Sequence, residues 1–370
     1  MEWGTVNYGE NKIFKKFGGT NMNVLLTSGA RRIDFIGFFQ DALKEAGALG
    51  NIIVADPDYN APSLQVADRP YVIPHQNSDD YIAAIFDICK ENEIDFIVPL
   101  NDWEVPKLSK HKKKLNEMSV TVFAPNEEVV RKVRDKGGYE KLLSEYGIKA
   151  PQTYFNVEEA KEGLGKEEVE FPLIVKPRNG SASAGIEIVT TEDQLASAYK
   201  LAVQKVKESP INDATHMDPE ENIIIQEIID GEKYSLDIVN DLDGNHLVSF
   251  ARKQLAMRGG DVDRTITSHK KELLDLGKKI GDNFKHVGYI NTDVFYDGKD
   301  YYVIDINPRF GGGYAFTHKA GANIPAAFIA MAANQEVKEE WLQDTPDVEL
   351  ARYDIVAKIE EDKLLFVNEK

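Results

Sequence analysis

The chain has 370 residues, which is long enough for two or three domains, each with its own hydrophobic core. Charged residues make up 29% of a sequence of ordinary hydrophobic content, which is typical of a soluble globular protein, and no apolar run approaches the roughly 20 residues of a membrane span. The formal net charge of −18 argues against nucleic acid as the main partner, because a phosphate backbone binds to basic surfaces. The single cysteine, Cys89, excludes an internal disulfide and a zinc site of the usual spacing, so we expect a cytoplasmic protein.

Strand-like and helical segments alternate in the first third of the chain. Residues 1–21 are polar and glycine-rich, and we expect a mobile extension before the structured part begins. The predicted strands that follow begin at Asn23, Asn51, Tyr71, Ile94 and Val120, and the predicted helices span Ile33–Ala46, Tyr81–Asn92 and Val105–Leu115. This alternation predicts an open, doubly wound parallel sheet with helices on both faces over residues 22–125.

The carboxyl ends of these strands form the expected ligand-binding edge of the sheet. The residues predicted at that edge are Ser28, Gly29, Asp56 and Asp102. The first strand is not followed by the G-x-G-x-x-G pattern of dinucleotide-binding sheets. A nicotinamide or flavin cofactor is therefore not expected.

The next part of the chain, residues 126–225, contains two lysines next to glycine-rich or proline-containing turns. One or two helices are predicted over Asn126–Tyr146, with a break at the two glycines that follow Lys136. A buried strand is predicted over Leu173–Val175, so Lys176 is expected at its end, and the proline that follows is expected to stop further pairing.

A loop of small residues follows the second lysine. Asn179–Gly185 contains only Asn, Gly, Ser and Ala, so its backbone N–H groups can face a phosphate without obstruction by side chains. The segment lacks the P-loop pattern, and a flexible hairpin loop is the alternative interpretation. A helix is predicted over Thr191–Lys207.

Two stretches of residues 226–370 indicate contacts with a nucleotide or another anion. An apolar connector between two predicted strands in Asn222–Val239 is suited to clamp a planar base, with Glu227 and the backbone of Ile229 as the candidate contacts. The predicted strand Leu247–Arg258 carries Arg252, Lys253 and Arg258, which suggests anionic ligand groups, although a surface strand often carries lysines that protect a sheet edge.

A hairpin near the end of this region gathers acidic and amide side chains. Asp297-Gly298 is a typical hairpin turn between two strand-like runs. Period-2 alternation places Asp305 and Asn307 on one face, and Asp293 ends the preceding strand. Two acids and an amide followed by an arginine are suited to hold Mg²⁺ against phosphate oxygens. For any one of these residues alone, the capping of a turn is the simpler interpretation.

The remaining predictions are helices over Lys270–His286 and Ala326–Ala333 and a closing strand pair over Tyr353–Val367.

The order of these pieces resembles the ATP-grasp superfamily, and most closely the carbamoyl-phosphate-synthase-like carboxylate–amine ligases with a pre-ATP-grasp domain in front. The resemblance rests on Lys136 before a helix, Lys176 with its small-residue loop, the run Gln-Glu-x-x-x-Gly-Glu-x-Tyr-Ser-x-Asp at 226–237, and Asp293 with Asp305-x-Asn307-x-Arg309. Single motifs of this kind are weak, whereas the ordered set is specific. It covers roughly residues 22–335.

The resemblance implies an ATP site between a central subdomain, residues 126–225, and a C-terminal subdomain, residues 226–370. The implied phosphate contacts are Lys136, Lys176 and the loop residues Ser181, Ala182, Ser183 and Gly185. Glu227 and Ile229 would hold adenine. Asp293, Asp305 and Asn307 would hold Mg²⁺, with Mn²⁺ as an alternative, and Arg309 would steady the transferred phosphoryl group.

The sequence departs from the family pattern at two positions. Lys233 stands where the family usually has a ribose-binding glutamate, so either Glu232 or Asp237 would take over the ribose contact, or the ribose contacts differ from those of the family. Asp305 stands where the family usually has glutamate in the metal motif. An aspartate is one methylene shorter and still offers hard oxygen ligands, so metal binding is expected to survive.

The chemistry that the resemblance implies is the joining of a small carboxylate to an amine through an acyl phosphate. Arg309, Arg258 and Lys176 are the expected catalytic residues, and Arg258, Arg252 and Arg309 are expected to orient the substrate carboxylate. His318 is the only histidine considered as a general base. The alternatives are phosphorylation or carboxylation of a small anion, and a nucleotide-binding sensor without turnover. The expected partners are small molecules, and neither nucleic acid nor a membrane; homodimerisation stays open.

Overall fold

The computed structural model describes residues 21–180, 185–209 and 217–367. Residues 1–20 of the predicted extension lie outside these described residues. The strands are β1 (Asn23–Thr27), β2 (Ile52–Asp56), β3 (Arg69–Val72), β4 (Ile94–Pro99), β5 (Thr121–Val122), β6 (Thr153–Tyr154), β7 (Leu173–Pro177), β8 (Glu187–Val189), β9 (Ile223–Glu227), β10 (Glu232–Asn240), β11 (His246–Arg258), β12 (Asp261–Ser268), β13 (Gly288–Tyr296), β14 (Tyr301–Asn307), β15 (Glu349–Ala351) and β16 (Leu365–Phe366). The helices are α1 (Ile33–Glu45), α2 (Tyr81–Glu91), α3 (Val105–Glu117), α4 (Glu127–Arg134), α5 (Tyr139–Ser144), α6 (Val157–Gly165), α7 (Glu192–Lys207), α8 (Lys271–Phe284), α9 (Tyr314–Lys319) and α10 (Ile324–Ala332).

The N-terminal sheet is parallel, as the alternating sequence pattern predicts, and its strand order is β16-β3-β2-β1-β4-β5. Every residue of β1 is buried, because helices cover both faces. Val24 and Leu26 pack with α1 and α10 on one face, whereas Leu25 packs with α2 and α3 on the other. The predicted doubly wound arrangement is confirmed.

Two antiparallel sheets form the rest of the protein. The smaller has the order β6-β9-β7-β8 and packs against α6 and α7. The larger has the order β14-β13-β10-β11-β12-β15, and α8 covers one of its faces. The acidic side chains of the hairpin formed by β13 and β14 lie on the other face of the larger sheet. The predicted combination of a parallel-sheet domain with an α+β two-sheet unit is therefore confirmed.

The predicted end of one strand was wrong. β7 does not end at Val175 but continues through Lys176 to Pro177, which pairs with Ile223 and is the last residue of the strand, so pairing stops at the proline as expected. The pairing of β7 with β8 stops at Val175, so the proline lies where the strand has only one neighbour and the missing N–H leaves no ladder bond open. Lys176 is consequently part of the strand rather than a residue beyond its end.

The predicted closing strand pair at Tyr353–Val367 does not form. β15 adds to the edge of the larger sheet through Arg264–Ile266, and β16 joins the N-terminal sheet in parallel beside β3. The apolar pair Leu365-Phe366 finds an unpaired edge strand in the first sheet, which the local pattern could not reveal. The C-terminal segment therefore connects the two large sheets.

Candidate active site

Register in the larger sheet brings the predicted acidic residues together. Asp293 of β13 lies directly opposite Asp305 of β14, and Asn291 lies opposite Asn307. Ser235 of β10 is the next cross-strand neighbour of Asp293. Because directly opposed residues share a face, the two acids and Asn307 lie on the face that α8 leaves open. The predicted antiparallel pairing of these strands is confirmed.

Two lysines balance the two carboxylates. The Nζ of Lys136 lies 2.9 Å from Oδ1 of Asp305 and donates to the carbonyl oxygen of Gly180 at 2.9 Å. The Nζ of Lys233 lies 2.9 Å from Oδ2 of Asp293, while Oδ1 of the same carboxylate accepts a hydrogen bond from Ser235 at 3.2 Å. The residue that departs from the family pattern therefore contacts an acid of the hairpin.

Lys176 lies beside this cluster without an ion pair among the described residues. Its side chain is buried, and burial together with the nearby Lys136 lowers the pKa of Lys176 to about 8, against the opposing effect of Asp305. A buried ammonium without a counter-ion is costly, so an incoming anion would stabilise it. Lys136, Lys176 and Lys233 thus place an excess of positive charge above the two acids.

The position of Lys136 follows from the local sequence. Asn126 caps the start of α4 by accepting from the N–H of Val129 at 2.9 Å, and a 3₁₀ turn at Lys136–Gly138 follows that helix. Asp135 fixes this turn, since its Oδ1 accepts from the N–H of Gly137 at 3.1 Å and its Oδ2 accepts from Arg178 at 2.7 Å. The turn directs the lysine towards the acidic hairpin.

The N-terminal sheet contributes a carboxylate from its predicted ligand edge. Asp102 is buried just after β4, and its Oδ2 accepts from Nη2 of Arg309 at 2.6 Å. Burial alone would raise the pKa of Asp102, but Arg309 and Arg134 outweigh it, so the pKa of this carboxyl is lowered. Nη2 of Arg309 also donates to Oδ1 of Asn307 at 3.3 Å, which links this sheet edge to the acidic hairpin.

Sequence reasoning did not single out Arg32 or the contact of Lys233 with Asp293. Arg32 directly precedes α1, and its Nη1 donates to the carbonyl oxygen of Phe310 at 2.9 Å. Arg309 donates to the same oxygen at 3.0 Å. The signal for Arg32 was its place after the first strand, at the expected ligand edge, where residues 28–32 were expected to contribute to the substrate pockets but only Ser28 and Gly29 were named individually.

The structure argues against a substrate role for Arg252 and a ribose contact for Asp237. Both side chains are fully buried and form an ion pair, with Nη2 of Arg252 2.7 Å from Oδ1 of Asp237. Asp237 also accepts from Asn291 at 2.9 Å and from Thr317 at 2.6 Å. These hydrogen bonds lie in the interior of the protein. Arg252 lies against the glycine loop at 311–313, since a Cβ at Gly313 would meet its guanidinium.

Two other expected contacts are also placed elsewhere. Glu232 lies on the opposite face of β10 from Lys233, where it pairs with Lys253 and accepts from the hydroxyl of Tyr234 at 2.6 Å, so its position argues against a ribose contact next to the acids. Arg258 is half-exposed at the end of β11 and pairs with Asp354 at 2.5 Å. That ion pair occupies the guanidinium that the sequence assigned to catalysis.

The adenine and loop predictions are described only in part. Oε1 of Glu227 accepts from the N–H of Gln152 at 2.9 Å, and Ile229 lies in the connector between β9 and β10. Gly185 has a positive φ of 74°, which suits glycine. Ser181, Ala182 and Ser183 lie outside the described residues.

His318 packs in an apolar environment. Its ring stacks on Phe38 at a centroid distance of 3.8 Å, and its Nδ1 lies 3.2 Å from the hydroxyl of Tyr314. Burial, with a smaller effect of Lys319, lowers the pKa of His318 to about 4. A neutral ring packed on a phenylalanine does not fit the general base considered from the sequence.

The glycine loop approaches Arg252 so closely that we expect a Gly313→Ala variant to be destabilised. A Cβ at this position would lie 2.3 Å from Nη1 of Arg252, which is buried and cannot move aside, so overpacking should cost about 1–3 kcal/mol. Thermal unfolding measures the effect. Gly37→Ala is the matched control, because a Cβ there meets nothing within 4 Å and alanine favours the helix. Equal melting temperatures for both variants would contradict the close packing.

The donor set of the hairpin fits a magnesium ion that is shared with a nucleotide. The described residues contain no group of three or more His, Cys, Asp or Glu side chains that could hold a metal alone. Mg²⁺ is, however, usually bound through one or two carboxylates, substrate phosphates and water. Oδ1 of Asp305 lies 2.9 Å from the Lys136 ammonium, and Oδ2 of Asp293 lies 2.9 Å from the Lys233 ammonium, so both carboxylates already face a positive charge, and their hard oxygens fit a cation.

Two family models match the chain in tandem. Residues 24–123 match the PylC-like N-terminal domain, and residues 133–313 match the ATP-grasp domain. The second range includes Lys136, Lys176, the acidic hairpin and Arg309. Among the described residues, no helix is long and apolar enough to cross a bilayer.

Curated relatives and solved structures agree with these matches. The C-terminal section of the carbamoyl phosphate synthase large chain from Methanopyrus kandleri is 26% identical over 325 residues, covering 83% of this chain and 56% of that protein. The formate-dependent phosphoribosylglycinamide formyltransferase of Prochlorococcus marinus is 24% identical over 275 residues, covering 71% of this chain and 65% of that protein. This chain thus spans less than two thirds of the length of either relative.

A solved structure with the same fold was determined with nucleotide. It is the biotin carboxylase domain dimer of 2-oxoglutarate carboxylase from Hydrogenobacter thermophilus, in complex with MgADP, ADP and bicarbonate. The TM-score is 0.68 at 18% identity, and the match covers 87% of this chain and 72% of that chain. At this identity the likeness shows the fold.

Proposed function

Since residues 133–313 of this chain match the ATP-grasp domain model, we propose that the protein is an ATP- and magnesium-dependent ligase that joins a small carboxylate to an amine through an acyl phosphate. The observation that supports this most strongly is the excess of cations around Asp293 and Asp305, where Lys136, Lys176 and Lys233 converge. An acidic protein that gathers buried positive charge at one place is suited to a polyanionic ligand there.

The phosphates are assigned to the lysines, and the metal to the hairpin. Lys136 and Lys176 would bind the phosphate oxygens, and the phosphate contacts expected of the small-residue loop remain part of the proposal. Asp293, Asp305 and Asn307 would hold Mg²⁺, which supplies charge neutralisation to the transferred phosphoryl group. Adenine contacts at Glu227 and Ile229 remain part of the proposal.

The reaction has two steps. An oxygen of the substrate carboxylate attacks the γ-phosphorus of ATP, the bond to the β-phosphate oxygen breaks, and ADP leaves. The amine nitrogen then attacks the acyl carbon of the mixed anhydride, phosphate leaves, and the nitrogen loses a proton. Arg309, held by Asp102, and the lysines would position these anions against each other, so catalysis depends on orientation and electrostatics.

Hydroxylamine provides a test that does not require the natural amine. The protein, ATP and Mg²⁺ are incubated with pools of small carboxylic acids and hydroxylamine, and both phosphate release and hydroxamate formation are measured. The proposal predicts that one pool produces ADP, phosphate and hydroxamate in equal amounts. An absence of acid-dependent phosphate release across broad pools would count decisively against it.

Carboxylation of a small anion is a second candidate. It is supported by the likeness in fold to a biotin carboxylase domain whose structure was determined with bicarbonate. The mass of the product distinguishes the two reactions, because carboxylation adds a carboxylate group and ligation forms an amide. Bicarbonate-dependent phosphate release without any other acid would favour this candidate.

Nucleotide affinity should weaken as the pH rises through about 8. The pKa of Lys176 is about 8 in the free protein, so the ammonium that binds phosphate is increasingly neutral above that pH. We expect the affinity for a non-hydrolysable ATP analogue with Mg²⁺ to fall roughly tenfold between pH 7 and pH 9, as measured by calorimetry.

The Lys176→Arg variant is the control for this prediction. Arginine stays protonated throughout this range, so its affinity should be nearly independent of pH, whatever its absolute value. An equally steep decrease in both proteins would show that another group titrates.

A further inference from the structure

Two arginines from different parts of the fold lie side by side at one carbonyl oxygen. Arg32 comes from the N-terminal sheet and Arg309 from the loop after β14, and each donates from Nη1 to the oxygen of Phe310, at 2.9 and 3.0 Å. The guanidinium of Arg32 also lies 5.4 Å from the ring centroid of Phe35. Both arginines are thus held in place by contacts that leave donors free.

The two arginines differ in their counter-ions. Arg309 is paired with Asp102, whereas Arg32 forms no ion pair with any described residue. Burial, and then the charge of Arg309, lower the pKa of Arg32 to about 10 against the opposing effects of Asp102, Asp261 and Asp34. The Asp102 carboxylate therefore contacts Arg309, and no carboxylate of the described residues lies within ion-pair distance of the partly buried Arg32, which leaves one positive charge without a partner.

The neighbouring acids do not supply the missing partner. Asp261 pairs with the exposed Arg31 at 3.7 Å. Asp34 accepts from the N–H of Phe35 at 3.0 Å, and burial, opposed by Arg352, raises the pKa of Asp34. An unpaired guanidinium presents a planar fork of N–H donors that matches a carboxylate in a bidentate manner. A carboxylate placed there would complete the charge balance.

We propose that Arg32 and Arg309 together bind the carboxylate of the acid substrate, and that Arg32 is the residue that selects for an anionic acyl donor. The inference rests on the proposed function and names its substrate-binding residue in the N-terminal domain. Nη2 of Arg309 lies 3.3 Å from Oδ1 of Asn307, so a carboxylate on this pair would lie next to the proposed metal ligands. That is where the attack on the γ-phosphate requires it.

Carboxylate binding can be measured without turnover. The protein is saturated with Mg²⁺ and a non-hydrolysable ATP analogue and is then titrated with acetate, glycine, succinate or glutamate against chloride at equal ionic strength. Thermal shift and calorimetry report binding, because a ligand of the folded form raises its melting temperature. We expect saturable binding of at least one carboxylate to the wild-type protein.

The Arg32→Met variant should bind that carboxylate about 10- to 100-fold more weakly and keep its affinity for the nucleotide. Arg31→Met is the matched control, since the neighbouring arginine is largely exposed, and it should bind both ligands as the wild type does. If Arg32→Met does not fold, Arg32→Lys keeps the charge and loses the fork, and should show the same selective loss.

Three results would overturn the inference: no saturable carboxylate binding by the wild type, equal carboxylate affinity in a folded Arg32 variant, or an equal loss of carboxylate and nucleotide affinity. The last result would mean that Arg32 only holds the Phe310 loop. Failure of the proposed function appears separately, in the hydroxylamine assay, where acid-dependent phosphate release and hydroxamate formation would be absent although the carboxylate still binds.

Discussion

An Asp305→Asn variant should lose at least about 10³-fold in ATP turnover and remain folded. Asp305 faces Asp293 across the β13–β14 pair, and its Oδ1 lies 2.9 Å from the Lys136 ammonium, at the place where the cations of the site gather. An amide offers one weak oxygen ligand in place of a charged carboxylate, and loss of the metal's charge stabilisation is worth several kcal/mol, at about 1.4 kcal/mol for each factor of ten.

The variant should fold because the substitution preserves shape. Lys136 would lose its ion pair with Asp305 but would keep its hydrogen bond to Gly180. The matched control is Asp300→Asn in the turn before β14, where the carboxylate pairs at 2.6 Å with Lys149 on the surface. Acid-dependent phosphate release and thermal unfolding are measured for both variants. Full ATP turnover by a folded Asp305→Asn variant would contradict the proposed role of the hairpin in metal binding.

An Asp237→Ala variant should be destabilised by about 3–5 kcal/mol, the usual cost of breaking a buried ion pair from one side. Asp237 and Arg252 are both buried, and the carboxylate also accepts from Asn291 and Thr317. Removal of the carboxylate leaves the Arg252 charge in the interior with only the carbonyl oxygen of Gly313 as a hydrogen-bond acceptor among the described residues. The effect should therefore greatly exceed that of a surface substitution.

Denaturant-induced unfolding tests this prediction, because the midpoint and the slope of the transition together give the free energy of unfolding. Arg258→Met is the control, since it breaks the exposed ion pair with Asp354 and should leave the midpoint nearly unchanged. The double variant Asp237→Leu with Arg252→Met should recover much of the lost stability, because apolar replacement of both charges removes the unpaired one. If the Asp237→Ala variant had wild-type stability and bound the nucleotide more weakly, the result would instead support the ribose contact that was expected from the sequence.

Patterns of short range predicted the hairpin and its turn, although β13 continues to Tyr296 and does not end at Asp293 as expected. Asp297-Gly298 fixed the turn, and period-2 alternation then fixed the shared face of Asp305 and Asn307. The parallel sheet was likewise predictable, since alternating strands and helices leave few other arrangements. These features depend on neighbours in the sequence, so the residues alone contain the information.

Contacts between distant segments could not be predicted in this way. Arg32 meets the oxygen of Phe310 across 278 residues, and Asp102 meets Arg309 across 207 residues. Both contacts depend on how the N-terminal sheet packs against the larger one. The position of Lys233 also required the register, because only the pairing of β10 with β13 shows which carboxylate it reaches.

The basic residues of β11 wrongly suggested substrate contacts, because their partners also come from distant parts of the chain. Arg252 and Arg258 are close in sequence, yet one lies in a buried network and the other in an exposed ion pair. Arginine on β11 therefore does not by itself indicate a substrate contact. The side chain's partners across the sheet decide its role.

The central claim, an acyl phosphate formed from a substrate carboxylate and ATP, is tested most directly by isotope transfer. The acid identified in the hydroxylamine screen is labelled with ¹⁸O in its carboxylate, and the phosphate released during turnover is analysed by mass spectrometry. Attack of the carboxylate on the γ-phosphate predicts one ¹⁸O atom in each phosphate. Unlabelled phosphate released together with the amide or hydroxamate would contradict this account.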